Sequence, residues 1–159
     1  MRGRWTCLLP AVAALVGCEP GSIYSPTTGG YVGARISPKS RWAVRGELSP
    51  PAAAADGNLA TAARSAARYA DAKLIIDLKE LCVFQTIVID HGSEQDGYCR
   101  IVSAATGIDG RQWTHRHAVG GTRRVTILSL PEVVLARYVR LKAAVPGPKR
   151  WAVAEVFIQ

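Results

Sequence analysis

Two groups of side chains in this sequence have the types and the spacing that metal or ligand chemistry requires. Asp56, Asn58 and Thr61 gather three oxygen-bearing side chains within six residues, around a glycine. Hard cations such as Ca²⁺ take about six to eight oxygen ligands, but Asp and Asn at such spacing also cap turns through their own backbone. Both interpretations of this loop stand at the level of sequence.

The second group is the triplet 115–117, His-Arg-His. Its alternation predicts that both imidazoles lie on the same face of a strand. Two ligands are fewer than a zinc site needs, so the triplet does not by itself predict a metal centre.

The sequence contains none of the motifs that are typical of common enzyme classes. Neither a Gly-x-Ser-x-Gly elbow nor a His-Glu-x-x-His pair, a phosphate-binding loop or a dinucleotide fingerprint occurs. The 12 carboxylates are spread along the chain, and no acid/base pair is recognisable. We therefore predict that the protein is not an enzyme.

The first 17 residues are typical of a secretion signal. A basic start is followed by a mostly apolar stretch of thirteen residues, which ends at Leu15-Val16-Gly17-Cys18. This ending resembles a bacterial lipobox, in which the Cys18 thiol takes a diacylglycerol and the acyl chains hold the protein on a membrane, at about 0.8 kcal/mol per buried methylene. The alternative is a non-lipid signal with an incidental Cys18.

The segment that follows, residues 18–34, is rich in Gly, Ser, Thr and Pro and is predicted to be a flexible tether. By resemblance to bacterial lipoproteins, Glu19 in place of Asp favours the outer membrane of the cell envelope. Cleavage before Cys18 would lower the formal net charge from +8 to +6, because Arg2 and Arg4 leave. The basic residues are dispersed, which disfavours nucleic acid as a partner and favours attraction to acidic polysaccharide.

Two cysteines remain once Cys7 has left with the signal and Cys18 is lipidated. In an oxidising envelope Cys82 and Cys99 are candidates for one disulfide. The alternative is that they are two small buried residues on neighbouring strands.

From about residue 34 onward the pattern is that of β-strands. Short apolar or alternating runs are separated by turn-forming residues such as Asp109-Gly110 and Gly120-Gly121. The runs cover residues 74–78, 83–89, 100–103, 124–128, 137–142 and 153–158. Short strands at this spacing predict an antiparallel sandwich or barrel, and residues 52–71 are predicted to form a loop with at most a short helix.

The order of the motifs resembles a known family, the discoidin or coagulation factor V/VIII type C domain. The similar segments are Asp56-Gly57-Asn58-Leu59-Ala60-Thr61, then 74–78, 87–89 and Asp109-Gly110-Arg111-Gln112-Trp113-Thr114, and finally 136–141 and 151–156. This resemblance implies an all-β fold for residues 35–159, an antiparallel jelly-roll sandwich of the galactose-binding-domain-like type. The chain departs from the family pattern at residues 62–64, where a tryptophan is usual, and in extra residues at 104–107.

The resemblance also implies candidate sites. In many relatives the first loop and a glutamate of the last strand surround a structural calcium ion, which here would fall on Asp56, Asn58, Thr61 and Glu155, with the backbone of Ala53 and Ala154. Ligands would bind at the loops of one end of the sandwich, where aromatic rings stack on sugars and polar groups bond their hydroxyls. The candidates are Trp42, Arg64, Tyr69, His91, His115, Arg116 and His117, although each alone is more often an ordinary loop residue.

We therefore predict a non-catalytic, lipid-anchored module that binds carbohydrate, with acidic glycan preferred, at the cell envelope. The alternative is a structural or adaptor lipoprotein that meets a protein partner and has no sugar site.

Overall fold

The computed structural model describes residues 36–68 and 70–159. The predicted signal peptide, lipidated Cys18 and tether lie outside the described residues, and so does the candidate Tyr69. Within the described part no helix is of a length and hydrophobicity that could cross a bilayer.

Nine strands and three short 3₁₀ turns make up the described part of the chain. The strands are β1 Ala43–Gly46, β2 Leu48–Ser49, β3 Ala63–Ser65, β4 Lys73–Asp90, β5 Ile101–Gly107, β6 Thr114–Gly120, β7 Val125–Val145, β8 Ala152–Val153 and β9 Glu155–Ile158. The 3₁₀ turns are Lys39–Arg41, Pro51–Ala54 and Gln95–Gly97. The predicted loop at 52–71 thus contains the end of one 3₁₀ turn and the strand β3, which was not predicted from the sequence.

Every strand pairing is antiparallel. The larger sheet has the order β1-β4-β7-β5-β6, with β9 paired to β4, and a smaller sheet has the order β2-β3-β8. The two long strands carry register shifts, between Asp77 and Cys82 and again between Phe84 and Thr86, and Lys79 in the first shift has a φ of 68°. Before this bend β4 pairs with β1, and after it β4 pairs with β9. The sheet thereby folds into two facing layers, and the predicted all-β sandwich is confirmed.

Alternation of apolar residues explains the core. Leu74, Ile76 and Leu78 before the bend, and Ile87 and Ile89 after it, point inward with a period of two and are fully buried. They belong to a single apolar cluster, and each fully buried side chain of this kind contributes about 1.5–3 kcal/mol relative to an exposed one. The same period that identified these strands in the sequence also selects their buried face.

The strand directions divide the domain into two ends. At one end lie the connections β4–β5, β6–β7 and β7–β8, which are the loops at residues 91–100, 121–124 and 146–151; we call this the loop end. At the other end lie the bend of β4 near residue 79, the β5–β6 turn and residues 131–133 of β7, where its pairing with β4 is interrupted; we call this the opposite end.

The predicted disulfide is wrong, because Cys82 and Cys99 are both buried free thiols. Cys82 pairs with Ala136 on β7, whereas Cys99 lies two residues before Ile101, which pairs with Val145. The nine positions of β7 between these partners correspond to roughly 30 Å at about 3.3 Å per residue. A disulfide needs Cα atoms within about 7 Å, so the two thiols cannot meet.

Candidate functional site

Backbone contacts hold the three loops of the loop end together. A β carbon added to Gly121 would lie 2.0 Å from the carbonyl oxygen of Cys99, and one added to Gly147 would lie 1.7 Å from that of Tyr98. Only glycine permits approaches this close. The loops at 121–124 and 146–151 are therefore packed directly against the end of the loop at 91–100.

The loop at 91–100 is fixed from inside by His91. Its imidazole is 1% exposed; Nδ1 donates to the Ala152 carbonyl at 2.7 Å, and Nε2 lies 3.3 Å from Thr126 Oγ1. Burial lowers the pKa of His91, which favours the neutral ring. His91 is therefore a positioning residue of the core, and the prediction that it contacts ligand is wrong because no face of the ring reaches solvent.

A polar cleft opens between these loops. It has a volume of about 250 Å³ and is lined by Ser93, Glu94, Gln95, Asp96, Arg123 and Lys149. A second hollow of about 390 Å³ shares Ser93 and Gln95 with it and adds Leu59, Ala60, Asp90, Gly92 and Arg124. Together the two form one continuous surface at the loop end.

Asp96 is the electrostatic centre of the cleft. Arg123 donates to its carboxylate, and Lys149 Nζ lies 3.4 Å from the other oxygen. The hydrogen bond from Arg123, reinforced by its charge, holds the pKa of Asp96 below its usual value. Arg123 and Lys149 remain 69% and 68% exposed, so both cations can reach a ligand while they neutralise Asp96.

Of the candidates among the described residues, Arg64 is the one that bonds a residue lining this cleft. It lies on β3, and its guanidinium bonds Glu94 Oε1 through Nη2 at 2.8 Å and through Nε at 3.2 Å. Arg64 therefore positions a residue of the cleft wall.

The other described candidates lie elsewhere, and their assignment to the loop end is corrected. Trp42 directly precedes β1, whose Ala43 pairs with Asp77 near the opposite end, and its Nε1 donates to the Ser37 carbonyl at 2.9 Å. The triplet 115–117 lies on β6, where His115 pairs with Glu132 at 3.2 Å near the opposite end. His115 also has a φ of 44°, so the strict alternation predicted for the triplet does not hold at this residue.

The residues predicted to hold calcium are close together, but they are bonded to one another. Asp56 accepts from the Asn58 backbone and from the Thr61 hydroxyl, at 2.8 and 2.7 Å, and these bonds lower the pKa of Asp56. Glu155 accepts from the Gly57 backbone at 2.8 Å and from the Lys39 ammonium at 2.7 Å. The oxygen atoms of these residues are of the kind that Ca²⁺ prefers. However, the ammonium of Lys39 already bonds the carboxylate of Glu155, so these residues do not fit a calcium ion.

Sequence reasoning missed the charged residues that line the cleft, Glu94, Asp96, Arg123 and Lys149. The available signal was their position next to glycine-containing turns, at 91–93 for the two acidic residues and at 120–121 and 146–148 for the two basic ones. Turn residues mark where loops begin, but they do not show which loops meet in space.

A comparison with protein families finds one that covers this part of the chain. The model of the F5/8 type C domain matches residues 35–156. No protein of curated function matches the sequence.

Solved structures share the fold. A family 32 carbohydrate-binding module of NanJ from C. perfringens, in complex with galactose, has a TM-score of 0.65 at 14% identity and covers 76% of this chain and 95% of that one. A second module from Clostridium perfringens, in complex with GalNAc-β-1,3-galactose, has a TM-score of 0.68 at 13% identity, with coverage of 76% and 96%. The module of AlyQ in complex with 4,5-unsaturated mannuronic acid has a TM-score of 0.57 at 20% identity, with coverage of 74% and 93%.

Proposed function

Because the chain belongs to the F5/8 type C domain family, we propose that it binds carbohydrate without catalysis, at the loop end, and that its ligand is an acidic glycan. The observation that carries the proposal is the charge of the three loops. Their basic residues outnumber their acidic ones five to two: Arg100, Arg123, Arg124, Lys149 and Arg150 against Glu94 and Asp96. Three structures of the same fold were solved with sugars bound, and one of those sugars is a uronic acid.

The cleft offers the contacts that an acidic sugar needs. A sugar carboxylate would share Arg123 and Lys149 with Asp96, and charge-assisted hydrogen bonds of this kind are about twice as strong as neutral ones. Ser93 and Gln95 supply side-chain donors and acceptors for ring hydroxyls. None of the described residues that line the cleft is aromatic, so recognition would rest on polar contacts and would weaken with salt.

The experiment is a glycan array probed with the mature chain at low and at high salt. Acidic glycans should be retained at low salt and lost at high salt, because contacts between exposed charges are screened. The variant R123A/K149A should bind them at least about tenfold more weakly, which corresponds to about 1.4 kcal/mol.

Arg41→Ala is the matched control, since Arg41 pairs with Glu80 at the opposite end. Its glycan binding should equal that of the wild type. Retention of no glycan at either salt concentration would contradict the proposal and would favour the adaptor function with a protein partner.

The membrane attachment is a second part of the proposal and rests on the sequence 15–18 alone. Acyl chains on Cys18 would hold the domain at the bacterial cell envelope, on the outer membrane. Mass spectrometry of the membrane fraction should detect a diacylglyceryl modification on Cys18, and Cys18→Ser should release the protein from that fraction. An unmodified wild-type Cys18 would contradict this part without affecting the glycan site.

A further inference from the structure

Glu155 is an ionisable side chain enclosed in the sandwich. It begins β9, pairs with Asp90 of β4, and is 1% exposed. A buried carboxylate is costly unless a cation and hydrogen bonds compensate it. One of its oxygens accepts a hydrogen bond from the Gly57 backbone N–H at 2.8 Å. Compensation of the negative charge therefore depends on the partner of the other oxygen.

The other oxygen meets the ammonium of Lys39, at 2.7 Å. Lys39 lies in the first 3₁₀ turn, 116 residues from Glu155 in the chain. Its Nζ is also 3.6 Å from the centre of the Phe157 ring and 5.9 Å from that of Trp42, and aromatic faces attract cations at these distances. A carboxylate and an aromatic ring of β9 and the nearby Trp42 ring thus surround one ammonium group.

The side-chain oxygens of the neighbouring loop take part in hydrogen bonds within the loop. Both oxygens of Asp56 accept hydrogen bonds within the loop, and the Thr61 hydroxyl donates to one of them. The Asn58 side-chain oxygen accepts from the Ala60 backbone at 3.0 Å. These hydrogen bonds hold the loop together, and the Gly57 N–H joins it to Glu155.

We propose that Lys39 is a built-in cation, which supplies to Glu155 and the 56–61 loop the positive charge that a calcium ion would otherwise bring. One ammonium balances one buried carboxylate, and the ion pair ties the 3₁₀ turn, the loop and β9 together. The stability of this domain is then independent of calcium.

Thermal unfolding of the wild-type chain in calcium and in EDTA tests the proposal without any variant. Even a weak extracellular calcium site, with a Kd of about 1 mM, would raise the Tm by several degrees in about 10 mM Ca²⁺. We expect identical Tm values in the two solutions. A Tm that rises with Ca²⁺ would overturn the proposal.

A double-mutant cycle tests the pair itself. Lys39→Met should lower the Tm by about 10 °C, because it leaves a buried charge without compensation. K39M/E155Q should recover more than half of that loss, since the amide that replaces the carboxylate carries no charge. A Lys39→Met variant that melts like the wild type, or a double variant whose loss is the sum of the two single losses, would overturn the proposal.

Lys79→Met is the matched control. Lys79 pairs with Asp77 at 3.2 Å in a more exposed setting, where such pairs contribute little. Its Tm should fall by less than about 3 °C.

Discussion

The two ends of the sandwich differ in how exposed the cations of their ion pairs are. At the opposite end each carboxylate is satisfied: Asp77 by Arg137 and Lys79, Glu80 by Arg41, Glu132 by His115, and Asp109 by the backbone N–H groups of Arg111 and Gln112. At the loop end Asp96, like Asp77, has two cations, but Arg123 and Lys149 are 69% and 68% exposed, against 37% and 41% for Arg137 and Lys79. Pairs that are half-buried stabilise the fold, whereas exposed cations on a cleft are available to a ligand.

Burial also determines whether an ion pair stabilises the fold or is available for binding. Lys39–Glu155 and Arg123–Asp96 have the same chemistry, but Glu155 is enclosed while Arg123 is largely exposed. A buried pair is strongly destabilising to break, and an exposed pair contributes about 0–1 kcal/mol. The stability of the domain should therefore depend on the first pair and binding on the second.

The largest expected effect comes from separating the loops of the loop end. Gly121→Ala would place a β carbon 2.0 Å from the Cys99 carbonyl oxygen, so the backbone must move. We expect the free energy of unfolding to fall by about 3 kcal/mol and glycan binding to be lost, as measured by urea denaturation and by the array.

Gly120→Ala is the control one residue away, because its β carbon would meet only the Arg100 carbonyl oxygen at 3.9 Å. It should behave like the wild type. Equal effects of the two substitutions would show that the close approach of the loops does not matter.

A second prediction concerns His91, which lies beside the cleft but inside the core. His91→Leu leaves the Ala152 carbonyl without its donor, and an unsatisfied buried group costs about 1–3 kcal/mol. Urea denaturation should show this loss at pH 8. Intact glycan binding by the folded variant would confirm that His91 does not contact the ligand, whereas loss of binding with an unchanged fold would contradict it.

The pH dependence of stability tests the burial of His91 in a second way. Burial lowers the pKa of His91 in the folded state, so the unfolded chain binds the proton more readily, with a pKa of about 6.5. The contribution of the neutral His91 ring to the free energy of unfolding is therefore complete above a pH of about 6.5 and is lost as the pH falls below it. Denaturation curves between pH 8 and pH 5 should show this fall in the wild type, and the part due to His91 should be absent in His91→Leu.

The smallest effects separate two aspartates at the two ends. Asp77→Asn should cost about 1 kcal/mol of stability, because it weakens the bonds from Arg137, and should leave binding unchanged. Asp96→Asn should change stability by less than about 0.5 kcal/mol and should tighten acidic glycan binding several-fold, since Arg123 and Lys149 lose their internal anion. Calorimetric titration with a uronic acid oligosaccharide measures both, and weaker binding by Asp96→Asn would contradict the proposed site.

Much of the fold could be predicted because its signals are local. The alternation of Leu74, Ile76 and Leu78 identified a half-buried strand, and the motifs in family order identified the sandwich. The same alternation predicts that His91 is buried, since Ile87, Ile89 and His91 are spaced two residues apart and therefore all face inward. Its position at the start of a glycine-containing loop led to the opposite prediction.

The site itself could not be predicted in the same way. Arg64 and Glu94 are 30 residues apart, and Lys39 and Glu155 are 116 residues apart. Loop residues such as Arg123 and Lys149 have no periodicity that would show where they point. Pairings of this kind depend on how the strands are connected, which emerges only when the layers have closed.

The reactivity of the two buried thiols can be used to measure unfolding of the domain. Burial raises the pKa of Cys99 to about 12, so almost none of the reactive thiolate is present at neutral pH. An alkylating reagent should therefore label Cys82 and Cys99 only in molecules that have opened. Since no covalent bridge joins them, residues 36–159 need no oxidant to fold, and a reducing cytoplasm is a suitable place to produce them.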